Sequence, residues 1–417
     1  MAVIQRIVCL TLLGVFASIP VTAGESVPTF TRDVAPIFYE NCVSCHRPGE
    51  FAPMSLIKYD DARPWARAIK QRVEAREMPP WDAEPGHQAY VNDASLSLNE
   101  IQTISAWVDG GSPKGDDVHL PRIPEFAPEW TIGEPDLVLS MVEPYAVPAD
   151  GTVPYLYFTV PTKFKEDKWL QAVELRPGDR RVVHHVIATL QSPDGKKDPS
   201  AKPSLTRSQK RSIGSLGGTV PNKLGVVYPD GVAKKIEAGT EIVLQMHYTT
   251  IGEATTDQTS VGLIFSDSPP NRTVGGGQVI NARFEIPAGA ENYEVRAERT
   301  IKEDTYLTNM TPHMHSRGKS FAYTAVYPDG TEEMLLNVPN YRFDWQLTYE
   351  FEQPKLLPAG TKLVGVAHYD NSVKNRDNPD ATADVRWGDQ TWEEMMIGFY
   401  GTVDAANAIK ATTNNNE

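Results

Sequence analysis

Five consecutive residues, Cys42-Val43-Ser44-Cys45-His46, restrict this chain more than any other part of it. Two thiols three positions apart, followed at once by an imidazole, form the C-x-x-C-H pattern of c-type haem attachment. The thiols add to the porphyrin vinyl groups as thioethers, and the histidine then lies under the iron as an axial ligand. The alternatives are a redox C-x-x-C pair or half of a zinc site. A zinc site wants a second ligand pair at similar spacing, and the sequence has none nearby. Cys42, Cys45 and His46 therefore predict covalent haem c, which is attached outside the cytosol.

The first residues agree with that compartment. Residues 1–23 carry one basic residue, Arg6, no acid, and an apolar run from Ile7 through Leu13 to Ile19. Val21-Thr22-Ala23 then resembles a small-residue cleavage site. This predicts a secretory signal peptide and a periplasmic or secreted protein. Cys9 sits inside the apolar run, too early for a lipid anchor. No later stretch is long and apolar enough to span a bilayer. Asp plus Glu is 54 against 40 Lys plus Arg, a net charge of −14 over 417 residues. Nucleic acid and anionic membrane surfaces need a basic face, so neither is an expected partner. Three cysteines exclude a disulfide-rich scaffold.

The flanks of the haem motif predict short helices. Thr31 to Tyr39 puts Val34, Ile37 and Phe38 on one helical face. Asp60 or Asp61 can cap a helix running through Val73. Ser97-Leu98-Asn99-Glu100 is a capping box for a helix that carries Ile101, Ile104, Trp107 and Val108 and ends at Gly110-Gly111. The iron needs a sixth ligand. Met78 is favoured, because Met78-Pro79-Pro80-Trp81 is a rigid loop able to hold a thioether. Met54, close after His46, is the alternative, and His87 reads as a loop residue. A Met/His ligand set raises the reduction potential and suits electron transfer. This stretch resembles the class I cytochrome c domains.

Ser112 to Glu134 carries Pro113, Pro121, Pro124 and Pro128 with little periodicity, and reads as a linker. Beyond it the chain changes character. Tyr155 to Val160, Val182 to Leu190, Glu241 to Thr249 and Lys362 to Tyr369 look like strands. Pro177-Gly178-Asp179, Pro193-Asp194-Gly195, Pro229-Asp230-Gly231, Pro328-Asp329-Gly330 and Pro358-Ala359-Gly360 supply turns. Gly195 to Gly218, rich in Lys, Ser and Pro, reads as a mobile loop. The expected fold class is multidomain: an N-terminal all-α cytochrome c domain, then two all-β, jelly-roll-like sandwiches. The expected boundaries are 24–115 for the haem domain, 116–135 for the linker, 136–275 for the first sandwich and 276–417 for the second.

The chain has nine His, and five fall in three strand-like places after residue 180. These are His184-His185, His247 and His313-x-His315. On a strand, residues i and i+2 share a face, so His313 and His315 can reach one ion together. Met395 or Met396 could add a thioether and complete a soft site. His247 shares a face with Val243 and Gln245. His184 and His185 face opposite ways on a regular strand, so both bind one ion only at a bulge or strand end. A lone histidine is more often a satisfied core or surface residue, but paired imidazoles favour copper or zinc. Blue-copper centres need a thiolate, which nothing after Cys45 provides. An all-His site and a His-plus-Met site remain.

Taken in order, these motifs resemble the copper type II, ascorbate-dependent monooxygenases, the family of peptidylglycine alpha-hydroxylating monooxygenase and dopamine beta-monooxygenase. Val183-His184-His185-Val186 resembles the pair of ligands on the first copper, and Leu244-Gln245-Met246-His247-Tyr248 the segment with its third. His313-Met314-His315, followed by Gly318-Lys319, resembles the His-x-His of the second copper. Glu394-Met395 resembles the Glu-Met that completes it, which selects Met395 over Met396. Pro135-Asp136-Leu137 and Tyr155 to Pro161 resemble the opening strands. The resemblance implies two β-sandwiches with one copper ion each, facing across a wet cleft. It implies that His313, His315 and Met395 are the catalytic set, where O2 reacts, and that His184, His185 and His247 relay electrons.

This sequence also departs from the family. The region has no cysteine, whereas the animal enzymes are disulfide-rich. Thr311 stands where peptide-amidating members carry a carboxylate-binding arginine, and Ile397 and Phe399 replace their Asn and Tyr. His368 stands where the family often has a cysteine, and reads as a core residue or a support for the ligands. The expected activity is that of a secreted haem- and copper-containing monooxygenase. Its substrate would be a small molecule or peptide without a required free carboxylate. Electrons would come from an external redox protein or reductant through the haem. The competing expectation is a non-enzymatic periplasmic electron-transfer or copper-binding protein.

Overall fold

The computed structural model describes residues 27–50, 52–126, 130–191, 212–219 and 225–405. The expected signal peptide lies outside them, as does most of the expected loop from Gly195. The end of that loop is instead a strand, Ser212–Thr219, paired with Val183–Gln191.

Helices form where the apolar periodicity places them, but they are short. A π-type turn, Phe30–Val34, runs into α1 (Ala35–Asn41). The helix expected after Asp60 is broken into α2 (Tyr59–Ala62), a 3-10 turn Arg63–Trp65, and α3 (Ala66–Glu74). Pro64 lies in that turn and has no N–H to continue a helical ladder. α4 (Leu98–Asp109) opens on the capping box at Ser97 and Glu100 and stops at Gly110. Phe30, Phe38, Val73, Ile104 and Trp107 meet in one buried cluster. The Trp107 ring lies 6.2 Å from Phe30 and 6.4 Å from Phe38, and its Nε1–H donates to the Pro113 carbonyl at 3.0 Å.

The expected N-terminal all-α domain is corrected by this arrangement. The helices are separated by long irregular stretches, and strands dominate the rest of the chain. Between α3 and α4 the chain leaves the helices altogether. Trp81, Ala83 and Tyr90 pack on the hydrophobic core of the far β-region, and Tyr90 forms an antiparallel bridge with Phe351. The physical reason is aromatic burial: the Trp81, Tyr90 and Tyr349 rings meet edge to face and Phe351 lies tilted on Tyr90, all at 5.0–5.7 Å, which four short helices cannot offer them.

The two β-regions each have a core of their own but share a sheet. A single nine-stranded sheet runs through both β-regions. Along it lie Leu137–Ser140, Ser260–Phe265, Lys168–Arg176, Val232–Ile236, Arg272–Ile280, Ile397–Asp404, Thr305–His313 and Tyr349–Leu357, with Gly225–Val227 on the edge of Lys168–Arg176. The joining strand is Arg272–Ile280. It pairs in parallel with Val232–Ile236 and antiparallel with Ile397–Asp404. One four-stranded sheet, in the order Leu156–Pro161, Glu241–Tyr248, Val183–Gln191, Ser212–Thr219, covers the first core. Another, in the order Tyr293–Thr300, Lys362–Tyr369, Gly318–Val326, Glu332–Val338, covers the second.

Trp107 is the largest fully buried side chain of the helical cluster. Trp107→Ala should cost about 3–5 kcal/mol in urea unfolding. A loss below about 1 kcal/mol would show that the helices do not close a core of their own.

Candidate metal centres

The first histidine group is made by an irregularity in a strand. Val183 pairs with Tyr248, but His185 pairs with His247, so the register slips by one residue at His184. A bulge of this kind puts two residues opposite one and turns neighbouring side chains toward a common side. The result is convergence. His184, His185 and His247 offer ligand nitrogens that all lie within 4.8 Å of one another. His184 Nδ1 is 3.2 Å from His185 Nδ1. His247 Nδ1 is buried without a hydrogen-bond partner. Three imidazoles that share a point and leave a buried nitrogen orphaned fit a borderline-soft ion such as copper.

Asp257 fixes the backbone around this group. Its buried carboxylate accepts from the Gly178 and Asp179 amides at 2.7 and 3.1 Å, from Tyr248 Oη at 2.9 Å and from Thr259 Oγ1 at 2.8 Å. It ties the turn before His184 to the residue after His247. Tyr155 covers the group, its ring 5.0 Å from His247 and 5.8 Å from His185.

The second group sits where the chain turns from the long sheet into the four-stranded sheet that covers the second core. The strand Thr305–His313 ends at His313, so His315 lies in the turn that follows and the shared face comes from that turn. The two rings are 5.3 Å apart and nearly perpendicular. His313 Nδ1 lies 2.5 Å from Gln346 Oε1, and His315 Nδ1 lies 3.1 Å from the Glu393 carbonyl. Oxygen partners on one ring nitrogen are what orient a metal-binding imidazole through the other. The Glu394 carboxylate is fully buried. It accepts from the amides of His315 at 2.8 Å, Arg317 at 2.7 Å and Met395 at 3.1 Å. One carboxylate thus draws the His315 turn and Met395 together. Met396 belongs to the apolar core, while Met395 is buried outside that cluster.

Phe343 stands between the groups, its ring 6.1 Å from His247 and 6.0 Å from His315. His368 is not brought to either group; it contacts Ser320 Oγ at 3.2 Å and Glu294 at 3.6 Å. Phe399 lies 6.2 Å from His313, and Thr311 shares a hydrogen bond with Thr348 at 2.8 Å.

The Cys42–His46 segment forms a single helical turn, with the amides of Cys45 and His46 both on the Cys42 carbonyl. Both thiols are unpaired. Burial pushes Cys42 up to about 12 and raises Cys45 too. His46 Nδ1 lies 3.2 Å from the Met54 carbonyl, which fixes the ring. Met54 packs against the helical core, whereas Met78 lies half-buried where the chain departs for the far β-region. His87 pairs with Glu84 at 3.1 Å.

Several contributors carried no readable sequence signal. Asp257, Phe343 and Gln346 are distant in sequence from the ligands they serve. Glu394 had one, its place beside Met395, but its role as an acceptor of three amides needs the fold.

No family model and no curated protein matches the chain. Solved structures give weak likenesses. The major capsid protein P2 from bacteriophage PM2 is 10% identical over 65% of this chain and 98% of that one, with a TM-score of 0.30. A structure of infectious bursal disease virus, Gx strain, is 9% identical over 64% and 70%, with a TM-score of 0.19. Allantoicase is 9% identical over 54% and 81%, with a TM-score of 0.16. Likeness at these scores carries no weight for fold or function. Among the described residues, no helix is long and apolar enough to cross a membrane.

Burial, with neighbouring imidazoles, holds His185 well below its ordinary value, and pushes His247 and His315 down to about 3. The unfolded chain takes up these protons below about pH 6.5 and the folded chain does not, so stability falls as pH drops through that window. Glu394, pushed up to about 8 by burial, acts oppositely: its contribution is complete below its ordinary value of 4.5 and is lost as pH rises through 8. Three imidazoles outweigh one carboxyl. The copper-free protein should lose up to about 1.4 kcal/mol per pH unit for each neutral imidazole below pH 6. Urea midpoints at pH 7, 6, 5 and 4 measure this, and a flat series would mean the imidazoles are solvated.

Proposed function

We propose that the chain is a copper-dependent monooxygenase that takes electrons through a haem held at Cys42, Cys45 and His46. The observation that carries this reading is the convergence of His184, His185 and His247 on one point with the His247 nitrogen orphaned. A second group of different composition, His313 and His315 with Met395 drawn in by Glu394, supports it. Two separate groups, one all-imidazole and one with a thioether, are what a reaction needs when it stores electrons in one place and uses dioxygen in another.

Copper at these groups would supply one-electron redox chemistry, with the thioether favouring the cuprous form. Hydroxylation consumes O2, two electrons and two protons; one oxygen enters a C–H bond and the other leaves as water. The reading assigns electron delivery to the Cys42–His46 segment, electron storage to the His184, His185 and His247 group, and dioxygen use to the His313, His315 and Met395 group. Contact supports the first step. Arg180, four residues before His184, donates to Glu50 Oε1 at 2.7 Å, and Arg47, next to His46, lies 2.6 Å from the same oxygen. The haem-binding turn and the strand of the first group therefore share one buried carboxylate. Phe399 and Ile397 beside His313 favour a neutral substrate, a small molecule or peptide held by apolar contact. A secreted or periplasmic location and an external electron donor belong to the same reading.

Copper titration of the full chain should reach two equivalents, falling to one in His247→Ala and one in His313→Ala. Substrate-dependent oxygen uptake with ascorbate as reductant should drop more than about 100-fold in His313→Ala. Retained turnover in that variant, or zinc at both groups of the isolated protein, would sink the assignment.

A further inference from the structure

The chain that follows Met78 does more than bury aromatics. Arg342 reaches it with a two-pronged grip. Its Nε donates to both Asp82 oxygens at 3.1 and 3.2 Å, and its NH2 group lies 2.8 Å from Asp82 Oδ1. Its NH1 group donates to the Glu77 carbonyl at 3.0 Å. The Asp82 side chain is 7% exposed and that of Arg342 27%, so the pair is shielded on the acid's side and partly open to solvent on the other. A second grip lies a few residues on. Asn92 Nδ2 donates to the Thr348 carbonyl at 2.6 Å, and Asn92 Oδ1 accepts from the Glu350 amide at 3.1 Å.

The segment pinned between these grips touches both histidine groups. Tyr341 Oη donates to the carbonyl of Met314, between His313 and His315, at 2.8 Å. Phe343 fills the space between His247 and His315. Gln346 holds His313 Nδ1 and donates from Nε2 to the Phe343 carbonyl at 3.3 Å. Arg342 is the neighbour of Phe343, so the backbone cannot shift at one without moving the other.

We propose that Arg342 is a positioning residue: gripped by Asp82 and the Glu77 carbonyl, it sets Phe343 and Gln346 against the histidine groups and so couples the haem segment to both. This rests on the reading that those groups hold copper and that Cys42–His46 holds haem. A planar guanidinium holds a carboxylate in a fixed fork and reaches the Glu77 carbonyl beside it; an ammonium is a compact charge with rotatable donors and does not fix that geometry. Removing one partner of a buried pair leaves the other charge unpaired and drives local rearrangement. The rearrangement falls on the loop, because α4 and the helical core are anchored elsewhere by Trp107.

The test uses the full chain with haem incorporated, as wild type, Asp82→Asn and Arg342→Lys. Amide hydrogen exchange without copper is read first. Residues 343–348 should exchange about tenfold faster in either variant, with α4 unchanged. Copper(II) is then added in a His247→Ala background, where the second group alone binds. Its electron paramagnetic resonance signal should change, and its copper affinity should fall about tenfold, through loss of the Gln346 contact. Unchanged exchange in the loop overturns the proposal. So does a lowered melting temperature with an unaltered copper signal, which would mark the pair as a staple and nothing more. A wild-type chain that binds no copper would sink the monooxygenase reading, and the exchange measurement would still decide this one.

Discussion

Adjacent histidines can face one point only where a strand abandons its alternation. The one-residue slip between Val183 and His185 is that break, and the first centre depends on it. Without it, one imidazole would enter the apolar core beneath Val183 and Val186, where an unpartnered ring nitrogen costs about 1–3 kcal/mol. The slip is held from outside the strand. Asp257 takes four hydrogen bonds from the turn before His184 and from the strand after His247. Its carboxylate is satisfied within the protein, so the bulge is stabilised by polar groups and not by the imidazoles it displays.

The second centre solves the same problem differently. His313 and His315 are two apart, which on a strand would suffice, yet the strand stops at the first. A buried carboxylate takes over. Glu394 spends its acceptor capacity on three backbone amides, two of them flanking the His315 turn and one on Met395. Arg317 anchors the far side of that turn, its guanidinium bonded to Asn371 Oδ1 at 2.8 Å and to the Trp392 carbonyl at 3.0 Å. Each centre is therefore built on one buried acid that is not itself a ligand. Acids of this kind fix geometry at the cost of desolvation, which the amide donors offset only in part at Glu394, where burial still pushes the carboxyl up to about 8.

What the sequence revealed follows the range of each force. The capping box at Ser97, the strands near residues 183, 241 and 362 and the paired histidines are local, and they lie where spacing places them. The bulge was legible as a geometric demand, since two adjacent ligands require one. Closure was not legible. The apolar faces of Val34, Ile37, Phe38, Ile104 and Trp107 read as a self-contained helical domain, but nothing local shows that Trp81 and Tyr90 bury more surface against Tyr349 and Phe351 than against the helices. Nor does any pattern show that Arg272–Ile280 hydrogen-bonds on both edges and merges two sheets into one. Gly275, Gly276 and Gly277 lie inside that strand. In the structure they pair with Thr402, Gly401 and Tyr400, and the Tyr400 ring takes the space that a side chain at Gly277 would need.

The N-terminal segment meets both β-regions through buried ion pairs, Glu50 with Arg180 in the first and Asp82 with Arg342 in the second. Such pairs are weak sources of stability, because desolvation cancels much of their attraction. Apolar contacts of equal area would hold the segment as well. What charge adds is a defined register: a guanidinium fork fits a carboxylate in few ways, whereas aromatic faces slide. Burial pushes the Glu50 carboxyl up while Arg180 and Arg47 pull it down, so the acid is held in place by the cations it orients. One pair lies beside Cys45 and four residues from His184; the other lies beside Met78 and one residue from Phe343. Fixing the Cys42–His46 turn and the two histidine groups in one register is what charge adds at these two places beyond packing.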